Sequence, residues 1–359
     1  MKSSTGKYFV GLDHIRAIAA FMVFCWHFIQ VVDGHRGDPS IFPFAILTEG
    51  HTGVALFMTL SGYLFAKLLD GKHINYRSFL WNRFLRLAPL LILVVFLVGA
   101  KHVWDGGKLG VYLNYLKPAL IKPVLPNGGW SITVEFHFYL ILPILLFLSG
   151  KSRYLLFALL GLALLIRVIL YEEIGQIHFL SYWTIVGRID QFLFGILAFY
   201  FRDIIRNRHA LALLVFLGFS AFYYYFDSTG GYYSHFPLNS PSSLWLIIPT
   251  VEGFAYAWLI AWYDNSFEHS QGRFSRFLAL VGTYSYSIYL LHVFMVWKAG
   301  DFINEYMFTI PNVYVALLVA PFVFLTIMPV AWFSYQYIEL PFLKFRTKYI
   351  IDKKELNKT

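Results

Sequence analysis

Three groups of side chains have types and spacings that can do chemistry in an apolar setting. The first lies on segment 9–32, which carries Asp13, His14, Arg16 and His27. Arg16 and His27 are eleven positions apart. On a helix that separation is about 20° from a whole number of turns and roughly 16 Å along the axis. A guanidinium and an imidazole would then line one groove at different depths. The second group is Glu135 and His292, each placed by its span in the same outer half of the membrane as His27. A carboxylate beside an imidazole fixes its tautomer and raises its basicity, which suits a general base. The third is Arg83-Phe84-Leu85-Arg86. Residues three apart share one side of a helix, and paired guanidinium forks match phosphate oxygens. Plainer readings stand beside these: a snorkelling arginine, a core histidine, a buried polar network, or arginines facing lipid headgroups.

Other residues read more readily as structure. Arg167, Arg188, Asp190 and Glu252 suit interhelical ion pairs. Ser61, in Leu60-Ser61-Gly62-Tyr63, suits close helix packing before it suits a nucleophile. His51 is expected at an interface and Cys25 as a small buried apolar residue. Tyr232, Tyr233 and His235 could line a sugar site in an outer loop. A single cysteine excludes an intrachain disulfide and a cysteine metal cluster. No HExxH, GxSxG, phosphate-loop or Rossmann pattern falls where it could be used, so no metal site is expected.

The elements that must position these groups follow from composition. The 359 residues are 58% hydrophobic and only 14% charged, with a mean hydropathy of +0.59. A soluble domain carries about a quarter charged residues, so a soluble globule is excluded. Solid apolar runs, rather than short alternating segments, exclude a barrel. The prediction is an all-α polytopic membrane protein with about ten transmembrane helices. The expected spans are 9–32, 51–69, 86–103, 131–149, 152–171, 182–201, 209–226, 244–263, 277–297 and 312–338. The last is longer than a bilayer requires, which predicts tilt, a kink at Pro321 or Pro329, or extension past the membrane.

With the N-terminus cytoplasmic, 20 of the 29 Lys and Arg residues fall inside and six outside; Arg16, Arg167 and Arg188 lie within spans. The positive-inside rule then predicts both termini in the cytoplasm. The +9 net charge is thereby explained as topology, without nucleic acid. One membrane domain is expected over 1–345, with a basic cytoplasmic tail over 346–359. No cleaved signal peptide is expected, because the first apolar run lacks a small-residue cleavage site.

These segments resemble acyltransferase family 3, bacterial membrane enzymes that acylate surface polysaccharides, peptidoglycan and related acceptors. Gly11-Leu12-Asp13-His14-Ile15-Arg16 running to His27 is similar to the family's Arg/Lys-ten residues-His motif. Leu56–Leu64 is similar to its Phe-rich Ser-Gly helix, and Arg83 and Arg86 to its Arg-x-x-Arg motif. Trp130-Ser131, Glu135, Phe138-Tyr139 and Pro143 match a further helix; Ser285–His292 and Ile338-Glu339-Leu340-Pro341-Phe342 match the last two motifs. The likeness runs nearly the whole chain in order. His14 and His137 depart from it, standing where a small residue and a Gln-like residue are usual.

The resemblance implies an inner-membrane O-acyltransferase that moves an acyl group, most often acetyl, from cytosolic acyl-CoA (acetyl-CoA) to a hydroxyl of a glycan or lipid-linked saccharide. Arg83, Arg86 and Arg16 would hold the CoA phosphates. His27 would be the general base, Glu135 would orient it, and His292 would assist in positioning or proton transfer. Ser61 or Tyr289 could stabilise the oxyanion. No esterase-like domain is expected after the last helix, so the membrane domain would complete transfer itself or hand the acyl group to a partner. Acetyl or longer acyl group, direct or two-step transfer, acceptor identity and oligomeric state stay open. A transporter or flippase for lipid-linked saccharides is the alternative, weakened because Gly/Pro interruptions do not pair between the two halves.

Overall fold

A computed structural model describes residues 9–32, 38–234 and 243–351. Each of the ten expected spans is helical, nine on a single main helix each and the ninth in chain order on two. These are α1 (Val10–Phe28), α2 (Gly53–Leu69), α3 (Tyr76–Trp104), α4 (Leu109–Leu116, between spans), α5 (Trp130–Lys151), α6 (Tyr154–Ile174), α7 (Ile185–Tyr200), α8 (His209–Ser228), α9 (Ile248–Ser266), α10 (Arg273–Thr283), α11 (Ser285–Tyr306) and α12 (Val313–Ser334). Polar caps start several of them. Asn75 accepts from the Ser78 amide at α3, and Asn312 accepts from the Val315 amide at α12. Such side chains satisfy amides that no helical carbonyl reaches.

Among the described residues, seven helices are long and apolar enough to cross a membrane; the bent pair α10–α11 makes an eighth if counted as one span. Their outer faces support a lipid setting: Leu318 and Phe322 on α12 are each 72% exposed. In water such a surface would be an aggregation liability. The chain is thus an all-α polytopic membrane protein. Two of the expected ten spans fall outside that set for local reasons. α7 has 16 residues, short of the roughly 20 that cross a bilayer, and α9 carries Glu252 and Asp264. Both pack against α2 in the middle of the bundle. There, backbones come close: a Cβ on Gly62 would lie 2.2 Å from the Phe192 carbonyl oxygen, and one on Gly195 would lie 2.1 Å from that of Thr59. Small residues permit such contact, which is the packing role the Ser61-Gly62 pair suggested.

The ninth stretch is two helices, not one. α10 meets α11 at a 71° bend around Tyr284, and a Cβ on Gly282 would meet the Asp13 carbonyl oxygen at 1.8 Å. The bend lets α10 lie against α1 while α11 carries Tyr289 and His292 beside it. α12 contains Pro321 and Pro329, then continues through a π-helical turn, Tyr335–Glu339. The chain stays packed beyond residue 345. A short antiparallel ladder pairs His73–Ile74 (β1) with Ile350–Ile351 (β2), and Tyr349 is buried against Phe79.

Candidate active site

Two cavities lie next to each other inside the bundle. The first, of ≈ 220 Å³, is lined by Asp13, Arg16, Ser61, Arg83, Arg86, Glu135, Tyr139, Tyr286, Tyr289 and Arg346 among others. The second, of ≈ 790 Å³, is lined by Trp26, His27, Tyr112, Trp130, Tyr182, Trp183, Tyr289 and His292, with the 123–128 loop across it. Val54 and Tyr289 line both. α1 runs from one to the other, with Arg16 in the basic cavity and His27 in the aromatic one. The axial offset read from the sequence therefore links two compartments.

In the basic cavity the arginines are held by name. Arg16 pairs with Asp13 one turn earlier. Arg86 donates to Glu339 at 2.5 Å, and its guanidinium lies 5.5 Å from the centre of the Tyr286 ring. Glu339 is fully buried and also accepts from Ser287 Oγ. The π-helical turn thus aims a carboxylate at α3 and fixes Arg86. Arg83 spreads over Phe65 and Phe79, at 5.3 and 5.6 Å from their centres. Glu339 was visible beforehand only as a motif residue. Its role needed the fold, because it and Arg86 are 253 residues apart.

Glu135 stands in this basic cavity, where it accepts from Tyr139 Oη. It is not beside His27. The sequence depth estimate treated the start of α5 as the outer membrane surface. Instead, Pro123–Gly128 fold into the bundle and line the aromatic cavity, so α5 begins at the level of Tyr289. Five residues beyond Trp130 are then about 7 Å further toward the basic end. Ser61 and Tyr286 share that cavity.

His27 and His292 are brought together, with ring centres 4.9 Å apart. His292 is buried; its Nδ1 is 2.7 Å from the Tyr289 carbonyl oxygen and 3.2 Å from that of Ile288. A nitrogen facing two acceptors carries the proton, which leaves the lone pair on Nε2. That Nε2 is buried without a hydrogen-bond partner. Around the two imidazoles stand Trp130 and Trp183, whose ring centres are 4.6 Å apart, and Tyr182, 5.1 Å from Trp130. Arg188 lies 4.4 Å beneath Tyr182 and is tied to Glu252 at 3.2 Å. Arg167 and Asp190, on α6 and α7, form a further interhelical pair, at 2.7 Å.

The remaining candidates are mostly structural. His14 Nδ1 is 2.8 Å from Tyr263 Oη and its Nε2 2.9 Å from the Ser275 carbonyl, stitching α1 to α9 and α10. His137 Nε2 lies 2.7 Å from the Leu120 carbonyl. Both departures from the motifs therefore serve packing. His51, at the start of the Gly50–Leu69 span, is fully buried, with Nε2 2.9 Å from Glu49 Oε2. Cys25 is a free, buried thiol. Tyr232 is buried, and its amide donates to Glu49. The side chain of Tyr233 and all of His235 lie outside the described residues.

Residues 9–335 match the family model described as an acyltransferase domain, that of acyltransferase family 3. A Staphylococcus aureus (strain COL) protein named "Putative O-acetyltransferase" is 26% identical over 391 residues, covering 94% of this chain and 58% of that one. A Bacillus subtilis (strain 168) protein named "Putative peptidoglycan O-acetyltransferase" is 27% identical over 220 residues, covering 51% of this chain and 32% of that one. The chain thus spans 58% of the length of the first curated relative, and the same share of its counterpart in S. aureus strain MW2. No solved structure matches it.

Proposed function

The chain belongs to acyltransferase family 3, and from that premise we propose that it is a membrane O-acyltransferase, of O-acetyltransferase type, taking its acyl group from cytosolic acyl-CoA. The acceptor is a hydroxyl of a cell-surface glycan or lipid-linked saccharide. Acyl-CoA enters the basic cavity, where Arg83, Arg86 and Arg16 meet its phosphates. The thioester reaches past Tyr289, and the acceptor lies against the aromatic walls of the second cavity. His27 removes the hydroxyl proton as the oxygen attacks the thioester carbonyl; the C–S bond then breaks, and coenzyme A leaves as its thiol, with His27 returning that proton to the sulfur. His292, its Nδ1 proton committed to backbone carbonyls, presents Nε2 to the His27 ring and holds its orientation. Glu135 serves the donor side. In this reading all ten helical stretches form the membrane domain, both termini face the cytoplasm, and the membrane is the inner one.

The observation that carries this reading is the adjacency of the two cavities across Val54 and Tyr289, with guanidinium groups in one and an imidazole pair in the other. Aromatic walls with a few aimed polar groups are usual for organic ligands. A cavity set with several guanidinium groups suits a ligand bearing phosphates.

The purified protein in liposomes, given labelled acetyl-CoA and membrane glycan, tests the reading. Release of free CoA with label on the glycan is expected. Glycan crossing the bilayer with acetyl-CoA intact would make the protein a flippase instead.

A further inference from the structure

The basic cavity gathers more guanidinium than its carboxylates meet. Arg16 has Asp13 and Arg86 has Glu339, while Glu135 is engaged by Tyr139. Arg83, hydrogen-bonded to Tyr139 and near Glu135, lines the same cavity as Arg346, and neither makes a salt bridge among the described residues. The Nε atoms of both are buried without a hydrogen-bond partner. Burial and the neighbouring Arg83 and Arg86 push the Arg346 pKa down to about 10. Like charges crowded this way disfavour one another unless an anion joins them.

Arg346 follows the last helical turn, yet it is not on a loose end. Asn82 of α3 clasps the next residue from both sides: its Nδ2 donates to the Thr347 carbonyl at 2.7 Å, and its Oδ1 accepts from the Thr347 amide at 3.0 Å. The Tyr349 carbonyl accepts from the Asn75 amide at 2.8 Å, and the β1–β2 ladder closes the strap. Asn82 is fully buried. A buried amide satisfied by backbone on both sides fixes where that backbone lies.

We propose that Arg346 is a phosphate-binding residue, forming with Arg83 a clamp for a phosphate-bearing ligand, and that the strap over 344–351 exists to hold it there. The inference rests on the acyl-CoA reading above, to which it adds a residue beyond the 9–335 match. Each guanidinium keeps an unpartnered Nε–H inside the cavity, and guanidinium groups suit contact with phosphate oxygens. Coenzyme A offers that chemistry from the cytosol; an anionic lipid headgroup offers it from the bilayer.

The test is calorimetric titration of the full chain in detergent with coenzyme A and, separately, with short-chain phosphatidylglycerol. The variants are Arg346→Gln, Arg346→Lys and Asn82→Ala, with thermal midpoints measured alongside. Arg346→Gln is expected to raise the Kd for coenzyme A at least about tenfold at an unchanged midpoint, with Arg346→Lys recovering part of the loss. Asn82→Ala is expected to raise the same Kd although Arg346 is intact. An unchanged Kd in Arg346→Gln, with the native chain binding coenzyme A, overturns the clamp and leaves the donor reading standing. If the native chain binds neither ligand, both fall. Arg346-dependent binding of the lipid alone keeps the clamp and overturns the donor reading.

Discussion

A histidine whose Nδ1 faces two backbone carbonyls is locked in one tautomer, and at His292 the free nitrogen is left near His27. In the proposed mechanism His292 is a positioning residue whose Nε2, unpartnered in this structure, is available to accept a hydrogen bond from His27. Glutamine can also accept, so His292→Gln is expected to retain more activity than His292→Ala. The alanine variant should lose on the order of 10²–10⁴ in kcat with little change in KM for acyl-CoA. Equal loss in both variants would argue for packing alone. Glu135, on the donor side with Tyr139, should behave differently. Glu135→Gln is expected to raise KM for acyl-CoA more than it lowers kcat; a kcat loss as large as that of His27→Ala would restore the Glu135–His27 pairing. The Arg16–His27 offset was legible because helical periodicity fixes it within one element. The neighbour of Glu135 was not, because depth depends on where a loop ends.

Individual helices owe their placement to two kinds of contact that hydropathy does not display. One is backbone approach at glycines: Gly62→Val would force side-chain atoms into the Phe192 carbonyl. Overpacking of this kind costs about 1–3 kcal/mol, so a lower thermal midpoint and reduced folded yield are expected. The other is charge buried between helices. Asp190→Ala would leave the fully buried Arg167 without its carboxylate, a loss of about 3–5 kcal/mol. Lys101→Ala removes an exposed pair with Asp105 and should change the midpoint little, within about 1 kcal/mol. Thermal unfolding of the three variants in one detergent checks the order. The sequence marked Arg167, Arg188, Asp190 and Glu252 as ion-pairing residues, because charge inside a span needs a partner. It could not pair them, nor show the break at Tyr284, where tertiary packing against α1 decides a geometry that apolar residues alone leave straight.

At the scale of the molecule, the helical membrane class was readable from the low charge content together with the solid apolar runs, since lipid contact tolerates so few charged side chains. The count of spans was less so: α7 and α9 are sheltered by their neighbours and escape the length and polarity rules that lipid imposes. Orientation is tested by labelling. In a Cys25→Ala background, Lys348→Cys is expected to react with an impermeant maleimide only after cells are permeabilised, and Lys108→Cys in intact cells. The reverse pattern would invert the topology and put the basic cavity outside. The family model and the motifs agree over most of the chain, while its share of its relatives' length leaves the acceptor to experiment.

The central claim is that one imidazole on α1 performs the chemistry on an acyl donor bound through the arginines of the basic cavity. It is met most directly by single-turnover release of free CoA from labelled acetyl-CoA in the native chain and in His27→Ala, with coenzyme A affinity measured on the same samples. The account predicts that His27→Ala binds coenzyme A as tightly as the native chain and releases CoA at least about 10²-fold more slowly. Native-rate release from the variant would contradict it.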